Sequence, residues 1–360
     1  MSLPPPDPRL RLRARATPVN PTGRFEPYAR APEHDGWDIP EETRGLKTEI
    51  AEERPRSVIT RNASPDVPFE QSLNPYRGCE HGCIYCFARP SHAYLGLSPG
   101  LDFETKIVAR PAAPEVLERE LGRPGYRPAV LAIGTNTDPY QPAEARLGIM
   151  RRVLEVLEAW GHPVGIVTKG AMIERDIDIL ARMAARGLVH VGISVTTLDA
   201  RLCRSMEPRA PTPARRIAAI AALARAGIPV RVMAAPVIPV LTEPEIESIL
   251  AAGAQAGARA ASWILLRLPH EVAPIFRDWL AREHPGRAAH VMTRLRAMRG
   301  GADYDAEWGR RMRGEGPYAQ ILARRFAVAA RRLGLDGQLP PLETRHFAPP
   351  LARGGQMALF

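Results

Sequence analysis

Between about residue 66 and residue 270 the chain alternates between two patterns of apolar positions. Short runs rich in valine, isoleucine, leucine and alanine at 129–134, 163–168, 189–196, 229–235 and 261–266 predict buried strands. The stretches 143–159, 174–186, 213–226 and 243–256 carry apolar residues at helical spacing. Thr212 before Pro213 predicts an N-cap with proline in the first helical position, and Gly187, Gly227 and Gly257 stand where helices should stop. An earlier strand is expected near 71–76, leading into a cysteine-rich loop. Six strands, each separated from the next by enough chain for a helical crossover, predict an α/β fold with a parallel sheet and right-handed connections. Periodicity alone does not distinguish a doubly wound sheet from a barrel.

The flanks read differently. Residues 1–65 are rich in proline and charge without sustained periodicity, which predicts an extended or partly disordered arm. Residues 276–360 predict a helical basic region, interrupted by the glycine- and arginine-rich loop 310–318 and ending in a tail at 354–360. The domain expectation is therefore an N-terminal extension over 1–65, an α/β unit over 66–275 and a C-terminal region over 276–360.

Net charge sharpens this picture. The chain of 360 residues carries +10. Residues 281–360 hold 14 basic and 7 acidic side chains, whereas residues 1–65 are nearly balanced at 11 and 10. A basic C-terminal region suits phosphates of a nucleic acid, or arginines that merely solvate helices. No apolar run approaches the roughly 18 residues that cross a bilayer, and the N-terminus lacks the apolar centre of a secretory signal. The four cysteines do not form an extracellular disulfide pattern, so a cytoplasmic protein with no membrane contact is expected.

Three of those cysteines, Cys79, Cys83 and Cys86, lie within eight residues. Three thiolates this close can hold three corners of a [4Fe–4S] cube and leave the fourth iron without a protein ligand. A structural zinc site needs a fourth ligand, for which His81 or His92 are candidates, but no second Cys/His pair follows at finger-like spacing. An ordinary electron-transfer cluster needs a fourth cysteine, and Cys203 stands far away in an apolar helical context.

The surroundings of the motif carry a resemblance. Asn74-Pro75-Tyr76-Arg77-Gly78 leads into the cysteines, Tyr85 precedes the third, and Phe87-Ala88-Arg89-Pro90 follows. The sequence resembles the radical S-adenosylmethionine (SAM) superfamily, in its branch related to spore photoproduct lyase. The resemblance implies a partial (β/α)6 TIM-type barrel, with the functional groups at the C-terminal ends of the strands. It implies a [4Fe–4S] cluster and SAM as cofactors, reductive cleavage of SAM to a 5′-deoxyadenosyl radical, and hydrogen abstraction from a substrate. A cluster of low potential also implies a flavodoxin- or ferredoxin-type reductant.

Candidate cofactor contacts follow strand by strand. The tract 135–142 ends the second strand, and Asn136 is the preferred contact there, with Tyr140 a packing alternative. The third strand ends in Lys169, one of three lysines in an arginine-rich chain, and the resemblance implies that it meets the SAM carboxylate. Ser194 on the fourth strand is implied to reach the ribose or carboxylate, and Tyr85 to contribute mostly through its backbone. Glu207 and Arg209 are expected to line the site, and Arg215 and Arg216 to cap or solvate the next helix. The segment 235–239 is expected against adenine, and Arg267 or His270 against substrate. Spore photoproduct lyase uses a cysteine as hydrogen donor near the end of its second strand, where this chain has Gly134, Thr135 and Asn136, so thymine-dimer repair itself is not expected. The competing reading is a non-catalytic nucleic-acid-binding protein with a structural Fe–S or zinc site, supported by the basic C-terminal region.

Overall fold

A computed structural model describes residues 14–26 and 46–350 of the protein. In chain order the strands are β1 (Glu49–Glu52), β2 (Thr60–Arg61), β3 (Gln71–Leu73), β4 (Tyr76–Arg77), β5 (Lys106–Ala109), β6 (Leu131–Ile133), β7 (Val164–Thr168), β8 (Val189–Ser194), β9 (Val230–Val237) and β10 (Ala260–Leu265). Six of them, β3, β6, β7, β8, β9 and β10, pair in parallel in that order, and β2 closes the β3 edge antiparallel. This is the expected partial (β/α)6 barrel. All six strands occur within a few residues of their predicted places.

The outer helices follow their apolar stripes. Helix Ile149–Ala159 buries Ile149, Met150, Val153, Leu154 and Leu157, a spacing that faces one side of a helix. Each such side chain contributes about 1.5–3 kcal/mol on burial. Thr212 caps helix Pro213–Arg225 by accepting from Arg215 N, and Gly187, Gly227 and Gly257 adopt φ of 68°, 77° and 93°. The single helix expected over 143–159 is broken. Gly148 takes φ 61° between Glu144–Leu147 and Ile149–Ala159.

Two departures bear on the site. The expected strand 71–76 is split, because Pro75 has no N–H to continue the ladder. The chain leaves the barrel after β3, and β4 pairs instead with β5 in a small separate sheet ordered β1-β5-β4. The cysteine loop therefore springs from that small sheet.

The expected extension 1–65 also contributes β1 and β2, and residues 14–20 strap onto the segment after the cysteines. Ala16 N donates to Glu104 Oε2 at 3.1 Å, Leu101 N donates to Val19 O at 3.0 Å, and Asn20 Nδ2 donates to Asp102 Oδ1 at 3.1 Å. Composition misses this because the polar groups of the strap find buried partners rather than water.

The boundary expected at 275/276 falls inside helix Val272–Glu283, whose Trp279 Nε1 donates to Ser205 O at 3.2 Å. The C-terminal region is helical over Pro285–Ala297 and Gly316–Arg332. Beyond it, Phe347 stacks on Trp160 at 5.7 Å between ring centroids. The tail at 354–360 lies outside the described residues. Among the described residues no helix is long and apolar enough to cross a membrane.

Two fully buried imidazoles set an acid limit. Burial holds His92 and His162 down to about 4, against an ordinary value near 6.5. Both sites are neutral in the folded protein and take up protons on unfolding, so stability falls as pH drops from about 6.5 toward 4. By pH 5 the loss is about 2 kcal/mol per site. Urea unfolding at pH 7.5 and 5.0 measures it, and equal midpoints would contradict it.

Candidate active site

The loop carrying Cys79, Cys83 and Cys86 is pinned from below by one buried arginine. Arg89 donates to Cys83 O at 3.0 Å, Gly82 O at 3.2 Å, Gly100 O at 2.8 Å and Glu104 Oε1 at 2.6 Å, with both side chains of the ion pair fully buried. Backbone bonds from Cys79 N to Phe103 O and from Ile84 N to Met206 O, both 2.9 Å, fix its two ends. Arg209 closes the far side with an ion pair to Glu80 at 3.0 Å. Gly82 sits at φ 64°, and a Cβ there would lie 2.6 Å from Glu104 Oε2. Gly82→Ala is therefore expected to disturb the loop and cost about 1–3 kcal/mol, read as a lower unfolding midpoint together with lower iron retention.

All four cysteines are free. Among the described residues, no three His, Cys, Asp or Glu side chains converge on a single metal ion. His81 Nδ1 lies 3.3 Å from Asp138 Oδ2 with Cys79 beside the ring, and His92 Nε2 is bonded to Lys106 O. The three cysteines fit a cluster, because its thiolates bind separate irons and need not meet at a point. Burial pushes the Cys83 and Cys86 thiols up, and Lys169 opposes the rise at both. Burial thus favours the protonated thiols, and a bound metal would supply the charge that holds them as thiolates.

The strand ends bring three of the four expected cofactor residues together. Lys169 Nζ, just past β7, donates to Ser194 Oγ at 2.9 Å and stands 5.9 Å from the centre of the Tyr85 ring. Ser194 Oγ donates to Ala235 O at 2.8 Å, which brings in the C-terminal end of β9. Asn136 is placed separately. Its backbone N–H is held by Asn74 Oδ1 at 3.1 Å, and its side-chain amide has no protein partner among the described residues. Asp138 ties this tract to the rest. It accepts from Thr168 Oγ1 at 2.6 Å and Lys169 N at 2.7 Å and faces His81. Burial alone would raise the Asp138 carboxyl, but His81 and these donors bring it to about 2. Tyr140 is packing, with its hydroxyl on buried Asp176 at 3.1 Å.

A buried network beneath Tyr85 was not foreseen. The Tyr85 hydroxyl donates to Glu207, which also accepts from Thr196 Oγ1 at 2.8 Å and pairs with Arg216. Arg216 is 1% exposed and donates to Ser194 O at 3.2 Å. The Tyr85 side chain is thus held within the protein, and Arg216 does not solvate its helix. The signal was present. Positions 213, 216, 220 and 223 form one apolar-spaced stripe, which places Arg216 on the buried face. Arg215 is the solvated neighbour, paired with Glu174 at 2.5 Å.

Arg267 stacks over Phe87, the residue after Cys86, at 4.8 Å, while His270 is exposed at φ 48° and lies apart from these groups. The arginines of the glycine-rich loop in the basic C-terminal region are engaged within the protein. Arg310 pairs with Asp305 and Glu315, both at 3.2 Å, Arg311 pairs with Asp66 at 2.5 Å, and Arg313 lies 4.7 Å over Trp263.

Comparison with known proteins places this geometry. Residues 73–252 match the family model described as the Radical SAM superfamily. An uncharacterised protein of Mycobacterium bovis is 38% identical over 289 residues, covering 79% of this chain and 81% of that one. An uncharacterised protein of Methanocaldococcus jannaschii is 23% identical over 199 residues, covering 55% and 71%. Among solved structures, spore photoproduct lyase complexed with dinucleoside spore photoproduct shares the fold at a TM-score of 0.56 and 16% identity, covering 79% of each chain.

Proposed function

Because this chain belongs to the radical SAM superfamily and is a radical SAM enzyme, we propose that Cys79, Cys83 and Cys86 hold a [4Fe–4S] cluster and that Tyr85, Asn136, Lys169 and Ser194 bind SAM. Held there and reduced by a flavodoxin- or ferredoxin-type donor, these cofactors would supply reductive cleavage of SAM and hydrogen-atom abstraction from a substrate. The observation that carries the reading is the meeting of Lys169, Ser194 and Tyr85 beside the anchored three-cysteine loop.

The protein's own groups bind and orient. The Lys169 ammonium is a compact cation whose present partner is a neutral hydroxyl, so a ligand carboxylate can take it without breaking an ion pair. The free Asn136 amide offers a donor and an acceptor to the same ligand. Asp138 fixes the backbone from which Lys169 projects. The Tyr85 ring, locked through Glu207, walls the pocket and keeps water from the reacting centre.

Anaerobic reconstitution followed by incubation with dithionite and SAM tests the reading. About four irons per chain and release of 5′-deoxyadenosine are expected, and a fully loaded protein that leaves SAM intact would refute it. Lys169→Ala should keep its iron but weaken SAM binding, since removing one partner of a desolvated charge pair costs about 2–5 kcal/mol. Equilibrium dialysis with labelled SAM measures this, and an unchanged affinity would take Lys169 out of the site. Nucleic acid is the second substrate reading. It rests on exposed Arg324 and Arg332 of helix Gly316–Arg332 rather than on the loop arginines.

A further inference from the structure

A cavity of about 840 Å³ opens between the N-terminal strap, helix Ala200–Met206 and helix Val272–Glu283. It lies on the far side of the Glu207–Arg216 network from Lys169 and uses none of the four residues assigned to SAM. One wall is apolar, built from Ala16, Pro18, Pro208 and Trp279.

The other wall is cationic. Arg201 and Arg204 stand three residues apart on one helix face, both exposed, and neither has a carboxylate partner among the described residues. Like charges at this spacing repel, so the helix bears a cost that a bound anion would remove. Arg15 also lines the cavity. It is 8% exposed, and its bonds go to neutral oxygens of Glu104, Leu46 and Thr48. Arg282 is paired with Asp278 at 3.0 Å, and Glu207 is claimed by Arg216, so these two largely cancel within the protein. Glu283 is the other acid of the lining. Two exposed guanidinium groups, Arg201 and Arg204, therefore stand at the cavity against one carboxylate, while the Nη atoms of Arg15 are held by Glu104, Leu46 and Thr48. Ser205, also in the lining, has a buried hydroxyl with no hydrogen-bond partner. Buried hydroxyls are normally satisfied, and this one lacks an acceptor.

We propose that this cavity is a second binding site, separate from the SAM site, for a phosphate-bearing small molecule. Its phosphate would sit between Arg201 and Arg204 with Ser205 donating, and its less polar part would lie against Trp279. Phosphate is favoured over a single carboxylate because its oxygens can serve two guanidinium forks at once. The proposal is independent of what the radical chemistry acts on.

The test uses reconstituted protein saturated with SAM, titrated calorimetrically with inorganic pyrophosphate and separately with ADP. Saturable binding of at least one probe is expected. Equal affinities assign the site to the phosphate group alone, and tighter ADP binding adds the apolar wall. The double variant Arg201→Ala with Arg204→Ala should bind at least tenfold more weakly while its iron content, unfolding midpoint and basal SAM cleavage stay unchanged. Both substitutions are at exposed positions, so the fold is not at stake. Failure of both probes to bind, displacement of SAM by the probe, or undiminished binding by the double variant would each overturn the proposal.

Discussion

Replacing any one of Cys79, Cys83 and Cys86 with alanine is expected to leave the protein without a stable cluster and without SAM cleavage. Cys203→Ala should keep both. The three thiols share one loop whose ends are bonded to Phe103 and Met206, so removing one leaves two ligands and no substitute within reach. His81 faces Asp138 and His92 bonds Lys106. Cys203 sits apart from the loop, 3.5 Å from Glu207 Oε2 and from Arg216 Nη2. Iron analysis, the visible spectrum of the anaerobically reconstituted variants and a deoxyadenosine assay read the outcome. Loss of iron on changing Cys203 alone would mean that the cluster has four cysteine ligands.

Glu207→Ala is expected to be the most damaging single change outside the cysteines. It strands the Arg216 guanidinium, which is 1% exposed, and removes the acceptor of the Tyr85 hydroxyl. Breaking a buried pair from one side costs about 3–5 kcal/mol, which denaturant unfolding would show directly. Tyr85→Phe separates stability from function, because it removes the hydroxyl and leaves the Glu207–Arg216 pair and the bond from Thr196 in place. That variant should retain iron and most of its stability. Its electron paramagnetic resonance signal in the presence of SAM should shift, and its KM for SAM should rise more than kcat falls. A signal and KM like those of the parent protein would confine the network to a purely structural role.

The strands illustrate how far the pattern of residues reaches. β6 to β10 are parallel strands with no exposed position, and such strands read as continuous apolar runs bounded by glycine and polar turns. Their crossovers are helices whose stripes, caps and stop glycines are local signals. The three-cysteine loop is also local, since ligand type and spacing are properties of eight consecutive residues. Lys169 and Ser194 stood out because each ends a recognisable strand.

The N-terminal strap could not be seen in this way. Its residues are proline-rich and charged, and only the partners at Glu104, Asp102 and Leu101 make a segment like Ala16–Asn20 part of the fold. The same holds for the exit of β4 into a second sheet, which depends on pairing with a strand 30 residues later.

What the sequence by itself determined is the alternation of parallel strands and helices and the three-cysteine spacing, because each rests on periodicity or spacing between near neighbours, while the barrel and the family followed from the resemblance that those motifs carry. Tertiary structure alone decided which charges are buried together. Arg89 meets Glu104 across 15 residues, Arg15 meets the Glu104 carbonyl across 89, and Tyr85 meets Glu207 across 122. Contacts of that span leave no period in the chain. Whether an arginine solvates a helix or braces a cofactor loop depends on the dielectric around it, and that is set only when distant segments pack.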